Sequence, residues 1–457
     1  MASINGILDT GRSAILAHQG AISTTSRNTA NVNTPGYHRR DVVLSNIKSL
    51  PGVQVEERRR SSDAYLGRKI LEAHGALGSA EAQAPSLGAV QQLFADRDGG
   101  LGTSVDAFFN ALRALEASPM NLDLRRDVAS TGTTMADQIS ATAQSLALER
   151  RQADRIVDGM IARVNELTAT IADLNHQIAN TPQEADGLYD QRQLMANELA
   201  SYIDVHTFIR EPGQMVVLFA DGMNLVDKDF AATLTATPDP AYSDMRRVDF
   251  TGNGGNPVDV TDRLESGQLG GVVKLRDQVI TTLIDRIDQY AYDFITEFNT
   301  RHQAGFGTDG ATGRDFFDPP LTGVSDAASG MSVMTGISTN PAWIAASSSA
   351  AEAVGGNGNI ANLQVLERQP LAAGGTRSFV EEMADMLGTV GRIVQSNERD
   401  RQSATVELEQ LESLHSSQVG VAIDEEMIDL TRFQRGYQAG ARIVTTVDEM
   451  YQTILGM

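Results

Sequence analysis

Apolar residues recur at helical spacing over most of this 457-residue chain. Near the N-terminus the positions 4, 8, 11, 15, 18, 22, 25, 29 and 32 follow a 4-3 spacing. They hold Ile4, Leu8, Gly11, Ile15, His18, Ile22, Thr25, Thr29 and Val32. The pattern predicts a helix over residues 3–30 with a coiled-coil seam, apolar in five places and weakened in four. Ser3 suits an N-cap. Thr34-Pro35-Gly36 ends the helix, because the residue before a proline is pushed out of the α region and Pro-Gly suits a tight turn. Residues 41–47 then read as extended.

Residues 63–200 read as mostly helical, with breaks expected near Pro85, Gly99-Gly100, Pro119 and Thr181-Pro182. Val157, Met160, Val164, Leu167, Ile171, Leu174 and Ile178 form an unbroken 3-4 stripe, which predicts a bundle core rather than a ligand site. A second helical run covers residues 188–203. The period then changes to two. Residues 205–209 and 215–219 read as strands on either side of Pro212-Gly213, and residues 251–257 as a Gly/Asn-rich turn. Helix returns over residues 272–303 with Val273, Ile280, Leu283, Ile287, Tyr290 and Phe294 on one side. Residues 304–375 are rich in Gly, Ser and Ala and read as loops. Helices resume over residues 377–414. A last helix spans residues 424–455, with its seam at Met427, Leu430, Gln434, Tyr437, Ala441, Val444, Asp448, Tyr451 and Leu455.

These elements predict a mainly α fold with β insertions. The expected division is a coiled coil of the two termini (residues 1–60 and 415–457) and a discontinuous helical bundle (61–203, 262–305 and 376–414). A small β insertion (204–261) and a loop-rich outer insertion (306–375) complete it. Both terminal seams are interrupted, so the two ends are expected to order fully only in an assembly.

Composition narrows the function. Aromatics are only 5 % of residues, which favours cores of Ala, Leu, Ile and Val over aromatic-rich pockets. The net charge of −22 argues against nucleic acid as a partner. Residues 1–60 carry eight Arg/Lys and four Asp/Glu, a balance of +4. Residues 424–457 carry three Arg and six Asp/Glu, a balance of −3. This fits attraction between the two ends and, equally, two unrelated solvated faces. With no cysteine, disulfides and thiolate metal sites are excluded. No apolar run is long enough to span a bilayer. The first residues lack a basic segment, and Asp9 and Arg12 interrupt any apolar stretch, so a cleaved secretory signal is not expected.

Catalytic and metal signals are poor. The seven histidines (His18, His38, His74, His176, His206, His302 and His415) show no zinc-binding spacing. The segment from Asp309 to Asp315 lacks the alternating oxygens and closing glutamate of a calcium loop and reads as a polar turn. The glycine-rich stretches at 252–255 and 355–358 do not join a strand to a helix in the manner of a phosphate loop. No catalytic residue, cofactor or metal is expected.

The informative segments are the ends. Residues 28–37 read Asn-Thr-Ala-Asn-Val-Asn-Thr-Pro-Gly-Tyr, continue into Arg39-Arg40-Asp41, and resemble the N-terminal signature of flagellar rod, hook and hook-associated proteins. The last 37 residues, from Val421, are similar to the C-terminal helix of the same family. The middle separates its members. Residues 188–205, the Ser-Gly-Gln-Leu-Gly-Gly at 266–271, Arg276-Asp277 and residues 298–305 resemble the hook-associated branch. The resemblance covers roughly residues 1–60, 145–305 and 375–457.

It implies an axial structural protein on which the filament assembles, exported by the flagellar type III apparatus and located outside the cell. The implied partners are the hook protein, the second hook-filament junction protein FlgL, further copies of the chain in a helical assembly, and the export chaperone FlgN. The expected assembly interface comprises Ile4, Leu8, Ile15, Ile22, Asn31, Thr34, Pro35, Gly36, Tyr37, Met427, Leu430, Tyr437, Val444, Tyr451 and Leu455. A hook or distal rod protein, a secreted enzyme on an axial scaffold and a cytosolic coiled-coil adaptor are the competing readings.

Overall fold

The computed structural model describes residues 4–47, 52–95, 100–181, 185–210, 213–240 and 244–456. The expected N-cap at Ser3 and the prolines at 182 and 212, with Gly99, lie outside them. Helix α1, Ile4–Ala30, is followed by an antiparallel hairpin of β1, Arg40–Asn46, and β2, Val53–Arg60. The sequence does not predict strand β2, because Val-Gln-Val-Glu-Glu-Arg-Arg-Arg has no apolar alternation beyond its first three residues. Its partner strand, not its own pattern, makes it extended.

Helices α2, Ala64–Leu93, α3, Leu101–Ala117, and α4, Leu122–Asn180, follow. Helix α2 does not break at Pro85 as expected. Pro85 lies on the exposed face, where water can satisfy the carbonyl it leaves unpaired, while Ala80, Leu87 and Val90 bury the opposite side. Helix α4 has 59 residues and is about 90 Å long at about 1.5 Å per residue.

Helix α5, Asp186–Tyr202, leads into the β insertion. It forms two antiparallel sheets rather than the expected pair of strands. One contains β3, Val205–Arg210, β4, Gln214–Phe219, β5, Met223–Asp227, and β6, Phe230–Ala231. The other contains β7, Thr233–Asp239, β8, Met245–Thr251, and β9, Val258–Asp259. The predicted stripe of α4 packs against them. Val157, Val164, Leu167 and Ile171 are buried in one core with Val217, Phe219, Val226, Val248 and Phe250. Asp154 of α4 pins the insertion, accepting hydrogen bonds from the backbone N–H of Arg246 at 2.7 Å and from the fully buried Arg276 at 2.7 Å.

Helix α6, Gly267–Lys274, a π-helical turn at Leu275–Ile280 and α7, Thr281–Ala304, return the chain to the bundle. Residues 305–378 carry only the short helices α8, Thr335–Thr339, and α9, Gly358–Gln364, with 3-10 turns. They are loop-rich, as read. They also enter the core. Phe316, Phe317, Ile337, Ile344 and Ile360 are buried with residues of α3, α4 and α7. Eight of the fourteen phenylalanines share this core, so the few aromatics are concentrated rather than absent. Helix α10, Phe379–Val419, opens with a capping box between Ser378 and Glu381 and packs along α2. Helix α11, Ile423–Leu455, lies against α1. None of the helices among the described residues is long and apolar enough to cross a membrane.

Candidate functional site

The segment between α1 and β1 is a turn whose hydrogen bonds join remote parts of the chain. Gly36 adopts φ +73°, and a Cβ there would sit 2.8 Å from Leu194 of α5. Glycine is required on both counts. Asn31 donates to the Arg27 carbonyl at 2.9 Å, and Thr34 donates to Asn31 at 3.2 Å, closing the end of α1. Pro35 is exposed at the bend. The Tyr37 hydroxyl donates to Asn28 Oδ1 at 2.9 Å, which also accepts the Arg40 backbone N–H at 3.2 Å. The Asn28 amide donates to the Arg40 carbonyl at 3.0 Å and to Glu426 of α11 at 3.1 Å. Asn28 is buried, and all of its bonding atoms are used.

Two charged clusters extend from this turn. Arg39 is paired with Asp41, Glu425, Glu426 and Asp429, and its N–H donates to the Val419 carbonyl at 2.9 Å. Arg40 donates to Asp190 of α5 at 2.7 Å, and Arg60 donates to the same carboxylate at 2.9 Å. His38 Nδ1 lies 2.9 Å from the Gly36 carbonyl, 2.9 Å from the Arg60 guanidinium and 3.1 Å from Asp190. Burial alone would raise the Asp190 carboxyl, but hydrogen bonds from His38 and Arg60 and the charges of Arg60 and Arg40 hold it below the usual carboxylate range. Burial raises Glu426 despite Asn28 and Arg39. His415 of α10, 5.2 Å from the His38 ring centroid, is lowered by burial and then by the charges of His38 and Arg60. One clasp thus ties α1, the hairpin, α5, α10 and α11. The opposite charges of the two ends do meet, through Arg39 and the first turns of α11.

Beyond the clasp the terminal helices approach through small residues. A Cβ on Gly11 would meet Val444 at 3.0 Å, and one on Gly440 would meet Ile15 at 3.2 Å. Ile4, Leu8, Ile15 and Ile22 are half-buried along α1, as are Leu430, Val444 and Tyr451 on α11. The Tyr451 hydroxyl bonds to Asn5.

The expected seam of α11 needs correction. Its buried positions are Glu426, Phe433, Gly440 and Val447, each one residue before Met427, Gln434, Ala441 and Asp448. One residue rotates a helix by about 100°. Met427, Tyr437 and Leu455 are consequently exposed, by 52, 40 and 85 %. The phase is set by the burial of Phe433 and Val447, the close approach at Gly440 and the pairing of Glu426. Asp190, Arg60, His38 and Glu426 of the clasp are not singled out by the sequence pattern. The only signal for them was the balance of charge between the ends and the family-like run 188–205.

Two ends clasped into one helical pair beside a long bundle fit the axial proteins of the bacterial flagellum that the terminal segments resemble. Residues 8–38 match the family model of the flagella basal body rod protein, and residues 415–457 match the C-terminal model of the flagellar basal body rod FlgEFG proteins. Residues 87–317, half of the chain, match the helical domain of the flagellar hook-associated protein FlgK. The chain belongs to the FlgK family of flagellar hook-associated proteins.

Flagellar hook-associated protein 1 of Bacillus subtilis is 26 % identical over 496 aligned positions, covering 98 % of this chain and 97 % of its own length. That of Escherichia coli is 22 % identical, covering 99 % of this chain and all of its own length. The solved flagellar hook junction protein FlgK of Burkholderia pseudomallei shares the fold at a TM-score of 0.67. It has 14 % identity, over 77 % of this chain and all of the other. The chain is accordingly a structural axial component at the junction of hook and filament.

Proposed function

We propose that the chain builds the hook-filament junction by repeating one contact between copies, with the terminal pair inside the assembly and the bundle outside it. The observation that carries this is the exposed apolar ridge on α11. Ile423, Met427, Tyr437 and Leu455 form it, with Ile428 exposed beside its first turns, on a helix whose other side is held by α1 and the clasp. Monomers gain nothing from such a ridge, and neighbouring copies can cover it. The expected assembly residues divide accordingly. Ile4, Leu8, Ile15, Ile22, Leu430, Val444 and Tyr451 set the pair. Asn31, Thr34, Pro35, Gly36 and Tyr37 set the turn. Met427, Tyr437 and Leu455 face neighbours.

In this reading residues 1–60 and 415–457 form the inner unit, the hook protein lies below and FlgL above. The chain leaves the cell through the type III apparatus, with FlgN covering α11 beforehand. No catalytic step is assigned. The titratable groups of the clasp hold one another in ion pairs, and among the described residues no three His, Asp or Glu side chains converge as a metal site. Chelator-sensitive activity with stoichiometric zinc or calcium would overturn that part. The test of the whole is a deletion strain. It should make hooks and shed filament subunits into the medium, and the restored gene should return the filaments. Retained filaments in the deletion strain would defeat the proposal.

A further inference from the structure

A cleft of about 860 Å³ opens beside the signature turn, walled by Pro35 and Gly36, by Leu194 of α5, and by Phe208 and Ile209 of β3, with Arg68 of α2 among its lining residues. Strand β3 is an edge of its sheet. Successive strand residues point to opposite faces, so a half-buried strand hides one of each pair. Here Phe208 is 44 % and Ile209 56 % exposed, so neither is hidden. Leu194 adds a third apolar group, 38 % exposed. An aromatic and a branched residue exposed side by side form an apolar surface that another chain can cover. Arg68 is exposed and makes no ion pair among the described residues.

A surface of matching character lies on the same molecule. In the first turns of α11, Ile423, Met427 and Ile428 are 51, 52 and 68 % exposed. Glu425, Glu426 and Asp429 are held by Arg39, whereas Asp424 has no ion pair among the described residues. Ile423 with Met427, and Asp424 with Ile428, are four apart and share one face. Arg39 ties this stretch to the signature turn, and the same turn walls the cleft. Ridge and cleft therefore lie at one level of the molecule, as a contact between side-by-side copies demands.

We propose that the cleft receives the first two turns of α11 from a second copy of the chain, Ile423, Met427 and Ile428 packing on Leu194, Phe208 and Ile209 while Asp424 pairs with Arg68. The two surfaces differ, so the contact is head-to-tail and repeats around an assembly. The inference rests on the axial function proposed above.

The chain has no cysteine, which makes cross-linking clean. Phe208→Cys and Ile428→Cys are introduced singly and together into a strain lacking the chromosomal copy, and its isolated flagella are mildly oxidised. A disulfide needs Cα atoms within about 7 Å. The double variant should give a ladder of cross-linked copies. The single variants, and Phe208→Cys combined with Val354→Cys in the loop after the 3-10 turn at Ala350–Glu352, should give none. In a second arm, Arg68→Asp should lose filaments, and Arg68→Asp with Asp424→Arg should regain them. Absence of a ladder from flagella that contain the double variant, cross-links to a different protein instead, or a charge exchange that does not restore filaments would overturn the contact. Failure of the axial reading would look different: the wild-type chain itself would be missing from isolated flagella.

Discussion

In the bundle, Phe108, Phe294, Phe298, Phe316 and Phe317 pack with ring centroids 4.8–6.3 Å apart. In the terminal pair, the buried positions of α1 are Gly11, Ala17, Ala21, Thr24, Thr25 and Asn28. Each region is made of long helices, yet the first fills its interior with large rings, while the second buries mostly small or polar groups, with Phe433 and Val447 of α11 as its large apolar members. Buried area stabilises in proportion to the apolar surface removed from water, at about 25 cal/mol per Å². The bundle therefore carries its stability within one molecule. The terminal pair brings two backbones close, fixes their register through the clasp, and leaves many of its larger side chains half-buried or exposed. Stability and assembly are thus assigned to different parts of the chain.

The largest expected effect tests the bundle. Phe294→Ala removes a ring that contacts six others and should lower the global unfolding free energy by about 3–5 kcal/mol. Ile171→Ala in the α4 stripe should cost about 2–5 kcal/mol. Denaturant midpoints check both, and an unchanged midpoint would mean that the regions do not differ as described.

Next comes the clasp. Asp190→Ala leaves the nearly buried Arg40 and the half-buried Arg60 without their shared carboxylate, which should cost about 3 kcal/mol. Here the readout is local. The bundle's midpoint should move less than for Phe294→Ala, while limited proteolysis should release residues before 40 and after 420 faster. Because the Asp190 carboxyl is held below its ordinary value, its contribution is present at neutral pH and is lost only as pH falls below the usual carboxylate range.

The bundle has its own pH response. His302 is fully buried, donates from Nδ1 to the Arg314 carbonyl at 2.7 Å, and accepts the Ala345 N–H on Nε2 at 3.0 Å. Only the neutral ring fits both partners. Burial lowers its pKa to about 4. The unfolded chain therefore binds a proton that the folded chain refuses, and stability falls as pH drops from about 6.5 towards about 4. The loss should reach roughly 3 kcal/mol. His302→Gln should flatten that part of the pH profile measured by thermal unfolding, and a profile with the same slope would exclude His302 as its source.

Much of this contrast was legible in the residues. The α4 stripe announced a core, because a strict 3-4 repeat has one buried face and needs no distant information. The turn at residues 34–36 was legible from proline and glycine, whose backbone preferences are local. Strands β3 and β4 were legible from their apolar runs. Strand β2 was not, since a strand rich in Glu and Arg depends on its partner, and neither were β5–β9. The loops at 305–378 read as loops, but nothing in their Gly, Ser and Ala content marks Phe316 and Phe317 as the centre of the core. The clasp was half legible. Charge balance suggested that the ends attract, while the choice of Asp190, 150 residues from Arg40, follows from topology alone.

The smallest effect on the monomer is the most informative about assembly. Met427 and Ile428 are 52 and 68 % exposed, and Met427 lies one residue past the buried Glu426. Truncating an exposed side chain away from caps and ion pairs usually changes stability by no more than about 0.5 kcal/mol. Met427→Ala with Ile428→Ala should therefore leave the denaturant midpoint of purified monomer almost unchanged. The same double variant should release filaments from hooks, because it removes apolar surface that only a neighbour covers. Large-to-small changes in the bundle couple the two readouts, since an unfolded subunit cannot assemble. Changes on the ridge separate them. A double variant that loses monomer stability by several kcal/mol would place Met427 and Ile428 in an intramolecular core. One that keeps both stability and filaments would leave the ridge without a role in the junction.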